Sequence, residues 1–135
     1  MDENVYKIEG TKEWTFKESS YILSETDEHG VITYVNDTFC HIANYKREEL
    51  IGQPHNIVRH PDMPRAAFKM LWDAIQSKGF WEGIVKNKRS DGEFYWVFAT
   101  VIRQMRDGKA HYFSLRTKPT KSDVQKAEAL YKTLD

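Results

Sequence analysis

Two Asp-Gly dipeptides, Asp91-Gly92 and Asp107-Gly108, divide the second half of the chain into three runs rich in β-branched and aromatic residues: 80–86, 93–104 and 109–117. Asp-Gly between such runs is a strong short-range hairpin signal, because glycine supplies the positive φ that tight hairpin turns require. Three consecutive antiparallel strands follow, and they cannot bury an apolar face alone. The rest of the chain must supply a cover.

That cover is legible upstream. Tyr21 to Thr26 and Val31 to Val35 alternate as strands around the turn Asp27-Glu28-His29-Gly30, which makes a further hairpin. Asn36 or Asp37 reads as an N-cap, followed by a short helix with Phe39, Ile42 and Ala43 on one face and a second short helix, Lys46 to Leu50, ended by Gly52. Ala67, Phe68, Leu71, Trp72 and Ile75 form a helical stripe within 66–77, and Gly79 ends it. Lys121 to Leu134 has the periodicity of an amphipathic helix; it either packs back on the domain or serves a partner. The first 20 residues are weakly patterned, with Trp14 and Phe16 as anchors of an N-terminal cap. The fold class is therefore α+β: a five-stranded antiparallel sheet, helices covering one face, and a cavity between them. The organisation is a cap at 1–20, the main domain at 21–118 and a C-terminal helix at 119–135.

Between the short helices and the longer one lies His55-Asn56-Ile57-Val58-Arg59-His60-Pro61-Asp62-Met63-Pro64. Its two prolines restrict the backbone, and Pro64 is suited to the first position of the following helix. The segment is expected to hold Arg59 and His60 toward an anionic or carbonyl group. His55, His60 and Asp62 also raise a metal site, which the two prolines oppose by breaking the helix that a His-x4-His pair would need. Trp72 lies on the inward stripe, either as core or against a ring system. Trp81 and Asn87 are an even number of residues apart and share a strand face. Asp62 either touches a ligand, caps the helix or pairs with Arg59. Lys86 to Arg89 reads as a solvated hairpin end, with a phosphate clamp as the lesser alternative. Cys40, the one cysteine, excludes an intrachain disulfide and reads as a buried structural thiol.

Net charge is zero, which removes any general attraction to nucleic acid or anionic lipid. No apolar run approaches the roughly 18 residues of a membrane helix, so a cytoplasmic chain without direct membrane insertion is expected. No nucleophile–base arrangement marks an enzyme.

The words Asn36-Asp37-Thr38-Phe39, Gly52-Gln53-Pro54-His55-Asn56, Arg59-His60-Pro61-Asp62-Met63-Pro64, Ala67-Phe68, Trp72, Trp81, Gly83-Ile84-Val85-Lys86-Asn87, Asp91-Gly92, Tyr95-Trp96 and Arg116-Thr117 closely resemble the PAS domain of the Aer-type aerotaxis and energy-taxis family. The resemblance runs from residue 21 to about 134. It implies non-covalently bound FAD, a flavin redox state that follows respiration, and control of a chemoreceptor signalling module. It assigns flavin contacts to Asn36, Arg59, His60, Asp62, Trp72, Trp81 and Asn87. Unlike that family, the sequence carries no transmembrane segment or methyl-accepting coiled coil, and so resembles the stand-alone PAS proteins of two-protein energy-taxis systems in epsilon-proteobacteria. The implied partner is a membrane chemoreceptor or its signalling domain, with a homodimer through the cap or the sheet face as a further expectation. A haem or other small-ligand PAS sensor, with His60 or His41 as axial ligand, and a PAS interaction module without cofactor stay open as alternatives.

Overall fold

Both Asp-Gly dipeptides sit in hairpin connections. Asp107 and Gly108 have φ of 52° and 77°, the pair of positive values that a two-residue type I′ turn needs. The other connection is longer: Arg89 N–H donates to the Glu93 carbonyl at 2.8 Å, and Gly92 takes φ 86°. The computed structural model describes residues 3–134. The outermost residues of the cap and of the C-terminal segment, 1–2 and 135, lie outside the described residues.

In chain order the elements are β1 (Val5–Lys7), β2 (Glu13–Phe16), β3 (Ile22–Thr26), β4 (Ile32–Val35), α1 (Asp37–Ala43), α2 (Arg47–Leu50), a 3-10 turn (His55–Val58), α3 (Arg65–Lys78), β5 (Phe80–Lys88), β6 (Phe94–Arg106), β7 (Lys109–Thr117) and α4 (Lys121–Tyr131). The expected five-stranded antiparallel sheet is present in the order β5-β6-β7-β3-β4.

The N-terminal segment departs from expectation. It is a hairpin, with Val5 opposite Phe16, and β2 joins the sheet parallel to β6 through Glu13↔Phe94 and Trp14↔Tyr95. It occupies the edge of β6 that β7 takes from Phe98 onward. The sheet therefore has seven strands and one parallel pair. Both extra strands are short, β1 pairing only with β2 and β2 with β6 through two residues, too brief for a clear alternation to show in the sequence. Phe16 is fully buried, as an anchor should be.

The helices divide the inner face of the sheet in two. Phe39, Ile42 and Ala43 from α1 and Leu50 from α2 close over Phe16, Ile22, Val35, Tyr95 and Val97 in a continuous apolar core. Asn36 fixes the start of α1: its Oδ1 accepts from Phe39 N and Leu23 N at 3.1 Å each, while its Nδ2 donates to the Tyr21 carbonyl at 2.8 Å. α3 covers the other half of the sheet. Pro64 is its N-cap, with extended backbone, so the helix begins at Arg65 rather than at the proline. Gly79 ends it in the left-handed conformation, φ 82°. α4 packs back on the domain, burying Ala127 and donating from the Tyr131 hydroxyl to the Ile84 carbonyl of β5.

Candidate functional site

α3 does not close fully on the sheet. Beneath it lies a cavity of about 330 Å³. Alternation along each strand decides what faces it. β5 presents Trp81, Val85 and Asn87, β6 presents Ala99 and Val101, and β7 presents Tyr112, Ser114 and Arg116. Phe68, Leu71, Trp72 and Ile75 come down from α3. Gly83 belongs to the same face of β5, and a Cβ there would meet the Trp81 ring at 2.4 Å. The missing side chain lets the indole lie flat along the strand. Trp72 sits at the mouth, 43% exposed, edge-on to Tyr112 with ring centroids 5.2 Å apart. The apolar stripe of α3 thus lines a cavity instead of filling a core.

The polar lining is mostly neutral, and its charged members are two arginines, Arg59 and Arg116. Arg116 is 5% exposed, and its guanidinium donates to Ser24 Oγ at 3.1 Å and His55 Nε2 at 2.7 Å. Arginine is always a donor here, so Nε2 accepts and the imidazole is neutral with its proton on Nδ1. Burial, and then the Arg116 charge, push the His55 pKa down to about 3. Burial lowers Arg116 itself to about 10. Arg59 stacks its guanidinium over the Phe68 ring at 4.0 Å. Asn87 is 5% exposed and faces Tyr95 across the β5–β6 pairing; burial raises the Tyr95 hydroxyl well above its usual range. Among the described residues, no carboxylate lines the cavity.

Four of the seven expected contact residues, Arg59, Trp72, Trp81 and Asn87, come together on this cavity. Asn36, His60 and Asp62 do not. Asn36 is occupied as the cap of α1. Arg59 pairs through its backbone with Asn87 at the edge of β5, and successive side chains of an extended segment point to opposite sides. Arg59 therefore turns into the cavity and His60 away from it. The His60 ring packs edge-on against Phe94 at 6.1 Å, and its Nδ1 accepts from Asp62 N at 3.0 Å. Asp62 neither caps α3 nor pairs with Arg59; its carboxylate takes Lys86 Nζ at 2.9 Å. His55 and His60 consequently face different surroundings and do not converge with Asp62 on one point.

Three further readings change. His41 is exposed on α1, so neither residue put forward as a haem ligand faces the cavity. Lys86 to Arg89 is not a solvated end: Arg89 is buried, donates to the Ile42 carbonyl at 2.8 Å and the His41 carbonyl at 3.3 Å, and stacks on Trp14 at 3.6 Å. Lys86 is mostly covered, lying over Phe94 at 4.4 Å. Cys40 is buried, and burial raises its thiol pKa. Arg116 was not put forward as a contact residue from the sequence, and His55 was raised only as a metal candidate; both line the cavity. The signal for Arg116 was the alternation Tyr112-Ser114-Arg116, which puts a cation on the inward face of a strand.

A helix held off a mostly antiparallel sheet, with a cavity of small-molecule size beneath it, defines an α+β domain with room for a ligand. The chain belongs to the PAS fold family, whose model matches residues 32–124. It is 46% identical over 115 residues to the aerotaxis receptor of Escherichia coli (strain K12), covering 84% of this chain and 23% of the receptor. It is 28% identical over 81 residues to the nitrogen fixation regulatory protein of Klebsiella pneumoniae, covering 60% of this chain and 16% of that protein. The chain thus spans less than a quarter of either relative's length. Among solved structures it is similar to the PAS domain of a protein from Colwellia psychrerythraea (TM-score 0.67, 21% identity, 75% of this chain and 87% of that one). It also resembles the LOV domain of a blue-light activated histidine kinase from Erythrobacter litoralis (TM-score 0.65, 19% identity, 75% of this chain and 97% of that one).

Proposed function

We propose that this chain is a redox or energy sensor that binds FAD in the cavity beneath α3 and signals to a membrane chemoreceptor, or to its signalling domain, in aerotaxis or energy taxis. The observation that carries the reading is the cavity itself: aromatic and aliphatic walls, two arginines, and no lining carboxylate among the described residues. A flavin has these needs, a planar apolar ring with polar edges and an anionic tail. The volume lies at the low end of the roughly 300–1,000 Å³ range of small-molecule sites, which suits the ring system, with the tail continuing outside. Trp72 and Trp81 offer ring faces, Asn87 a donor and an acceptor, and Arg59 a cation near the mouth. When bound, the flavin supplies reversible electron uptake; the residues around it bind, orient and exclude water.

The similarity to an aerotaxis receptor supports the signalling assignment. Among the described residues, no helix is long and apolar enough to cross a membrane, so membrane association is assigned to the receptor partner. The role is sensing rather than catalysis, with residues 21–118 as the sensor unit and the terminal segments as the routes to a partner or to a second copy. Signalling requires that the partner bind the two redox states with different affinity.

The test is an absorption spectrum of the purified protein, followed by heat release and identification of the cofactor. Bound FAD is expected, with occupancy reduced in Arg59→Ala and in Trp72→Ala. A haem spectrum, or full occupancy in both variants, would refute this site.

A further inference from the structure

Arg116 is a buried cation without a counter-ion. Its two hydrogen-bond partners, Ser24 and His55, are neutral, and no carboxylate stands with it around the cavity among the described residues. A buried charge is costly unless it is paired. Here the fold has instead shaped two neutral acceptors around the guanidinium. Ser24 comes from β3 and lies opposite Ser114 of β7, while His55 comes from the 3-10 turn. Ser24 Oγ is itself 3.2 Å from His55 Nε2, so the three groups form a closed cluster that fixes the guanidinium at the cavity wall. Arg116 also lies near Phe39, 5.4 Å from its ring centroid, which gives no compensating charge. A cation oriented in this way meets its missing partner in whatever fills the cavity.

We infer that Arg116 is the charge-reading residue of the site, and that the cavity holds a ligand ring bearing negative charge more tightly than the same ring when neutral. This rests on the flavin reading above and adds to it. Reduction of a flavin takes two electrons from an external donor, such as dithionite, and one proton from water. It leaves one negative charge on the ring system. Binding that prefers the anion raises the midpoint potential of the bound cofactor, and each tenfold of preference is worth about 30 mV for a two-electron couple. The other titratable or charged groups lining the cavity are His55 from the 3-10 turn, Arg59 from the segment after it, His29 from the β3–β4 turn and Tyr112 from β7, with Tyr95 of β6 close to Arg116 behind the wall. None of these is a carboxylate, so among the described residues no acidic side chain on the cavity wall competes with the ligand for Arg116.

The experiment is an anaerobic titration of the whole protein with FAD, oxidised and dithionite-reduced, in wild type, Arg116→Gln and Arg116→Lys. The ratio of oxidised to reduced dissociation constants is expected to fall at least tenfold in Arg116→Gln, with the potential about 30 mV lower. Arg116→Lys keeps the sign of the preference. A second measurement needs no variant and decides the matter if Arg116→Gln fails to fold. In wild type, the neutral-to-anion transition of bound reduced flavin, followed by absorbance, lies at least one pH unit below that of free reduced flavin measured alongside. An unchanged ratio in a folded Arg116→Gln, or a wild-type transition no lower than that of free flavin, overturns the role of Arg116 and leaves the cofactor reading intact. Absence of any flavin binding by wild type overturns the cofactor reading itself.

Discussion

Arg59 and Asn87 are backbone partners across the open edge of β5. This bridge ties the proline-bounded segment to the edge of β5 and turns both side chains toward the cavity. It also explains why the adjacent polar residues do not join them. His60 and Asp62 follow the alternation outward, where Asp62 meets Lys86, the neighbour of Asn87 on the opposite face of the strand.

His55 makes the stability of the fold depend on pH. Its pKa in the fold is about 3, against 6.5 ordinarily. Between those values the unfolded chain binds the proton and the folded chain does not, so stability falls as pH drops below 6.5. At pH 5 the loss from this group is about 2 kcal/mol relative to pH 7, at 1.36 kcal/mol per unit. Urea denaturation of wild type and His55→Gln at both pH values isolates it: the wild-type loss should exceed the variant's by about that amount. Equal losses would show that His55 takes up its proton in the fold as readily as in the unfolded chain.

Gly83→Ala separates the site from the scaffold. Alanine suits a strand at least as well as glycine, but its Cβ would overlap the Trp81 ring, whose far end is the clashing part. The indole is expected to swing off the cavity wall. The thermal midpoint should correspond to a change of less than about 1 kcal/mol, while flavin affinity falls at least tenfold. A variant that binds flavin normally would remove Trp81 from the ligand wall.

Arg89 is a structural cation, and its loss should cost more than that of any exposed charge. It satisfies two carbonyls at the end of α1 and stacks on Trp14. Arg89→Ala leaves those carbonyls buried without donors, for an expected loss of about 2–4 kcal/mol in urea denaturation. Arg89→Lys should recover less than half of it, because an ammonium cannot reproduce the planar, several-donor geometry. A loss below about 0.5 kcal/mol would return this residue to the solvated surface.

Tyr131 fastens α4 to β5 through the Ile84 carbonyl. Tyr131→Phe keeps the ring packing and removes that bond, costing about 1 kcal/mol. The effect is expected locally: hydrogen exchange in 121–131 should accelerate, with β6 and β7 unchanged. Uniform acceleration across the domain would mean that α4 is part of the global folding unit.

The parts of the fold governed by local chemistry were legible. Asp107-Gly108 specified its hairpin because both backbone positions need positive φ, and Gly79 ended α3 for the same reason. The N-terminal hairpin was not legible, because its strands are only three and four residues long and are held by pairing with each other and, through Glu13 and Trp14, with Phe94 and Tyr95. The site divides in the same way. Trp72, Trp81 and Asn87 follow from periodicity within one element. His60 was misplaced because its direction depends on the Arg59–Asn87 bridge, which no local pattern announces. Arg89 was misread because a charged residue beside a turn is ordinarily solvated, and the carbonyls it serves belong to a helix far away in sequence.

The outer side of β5 is engaged at three successive places: the Ile84 carbonyl by Tyr131, the Lys86 amide by the Met63 sulfur at 3.5 Å, and Asn87 by Arg59. On the far side of the sheet, Ile32 of β4 exchanges bonds with Gln53 and Gly52 at 2.9 Å each. Exposed strand edges are templates on which other chains can polymerise. By occupying the β5 and β4 margins with its own loops and terminal helix, this domain leaves little of either edge free for another chain to pair with.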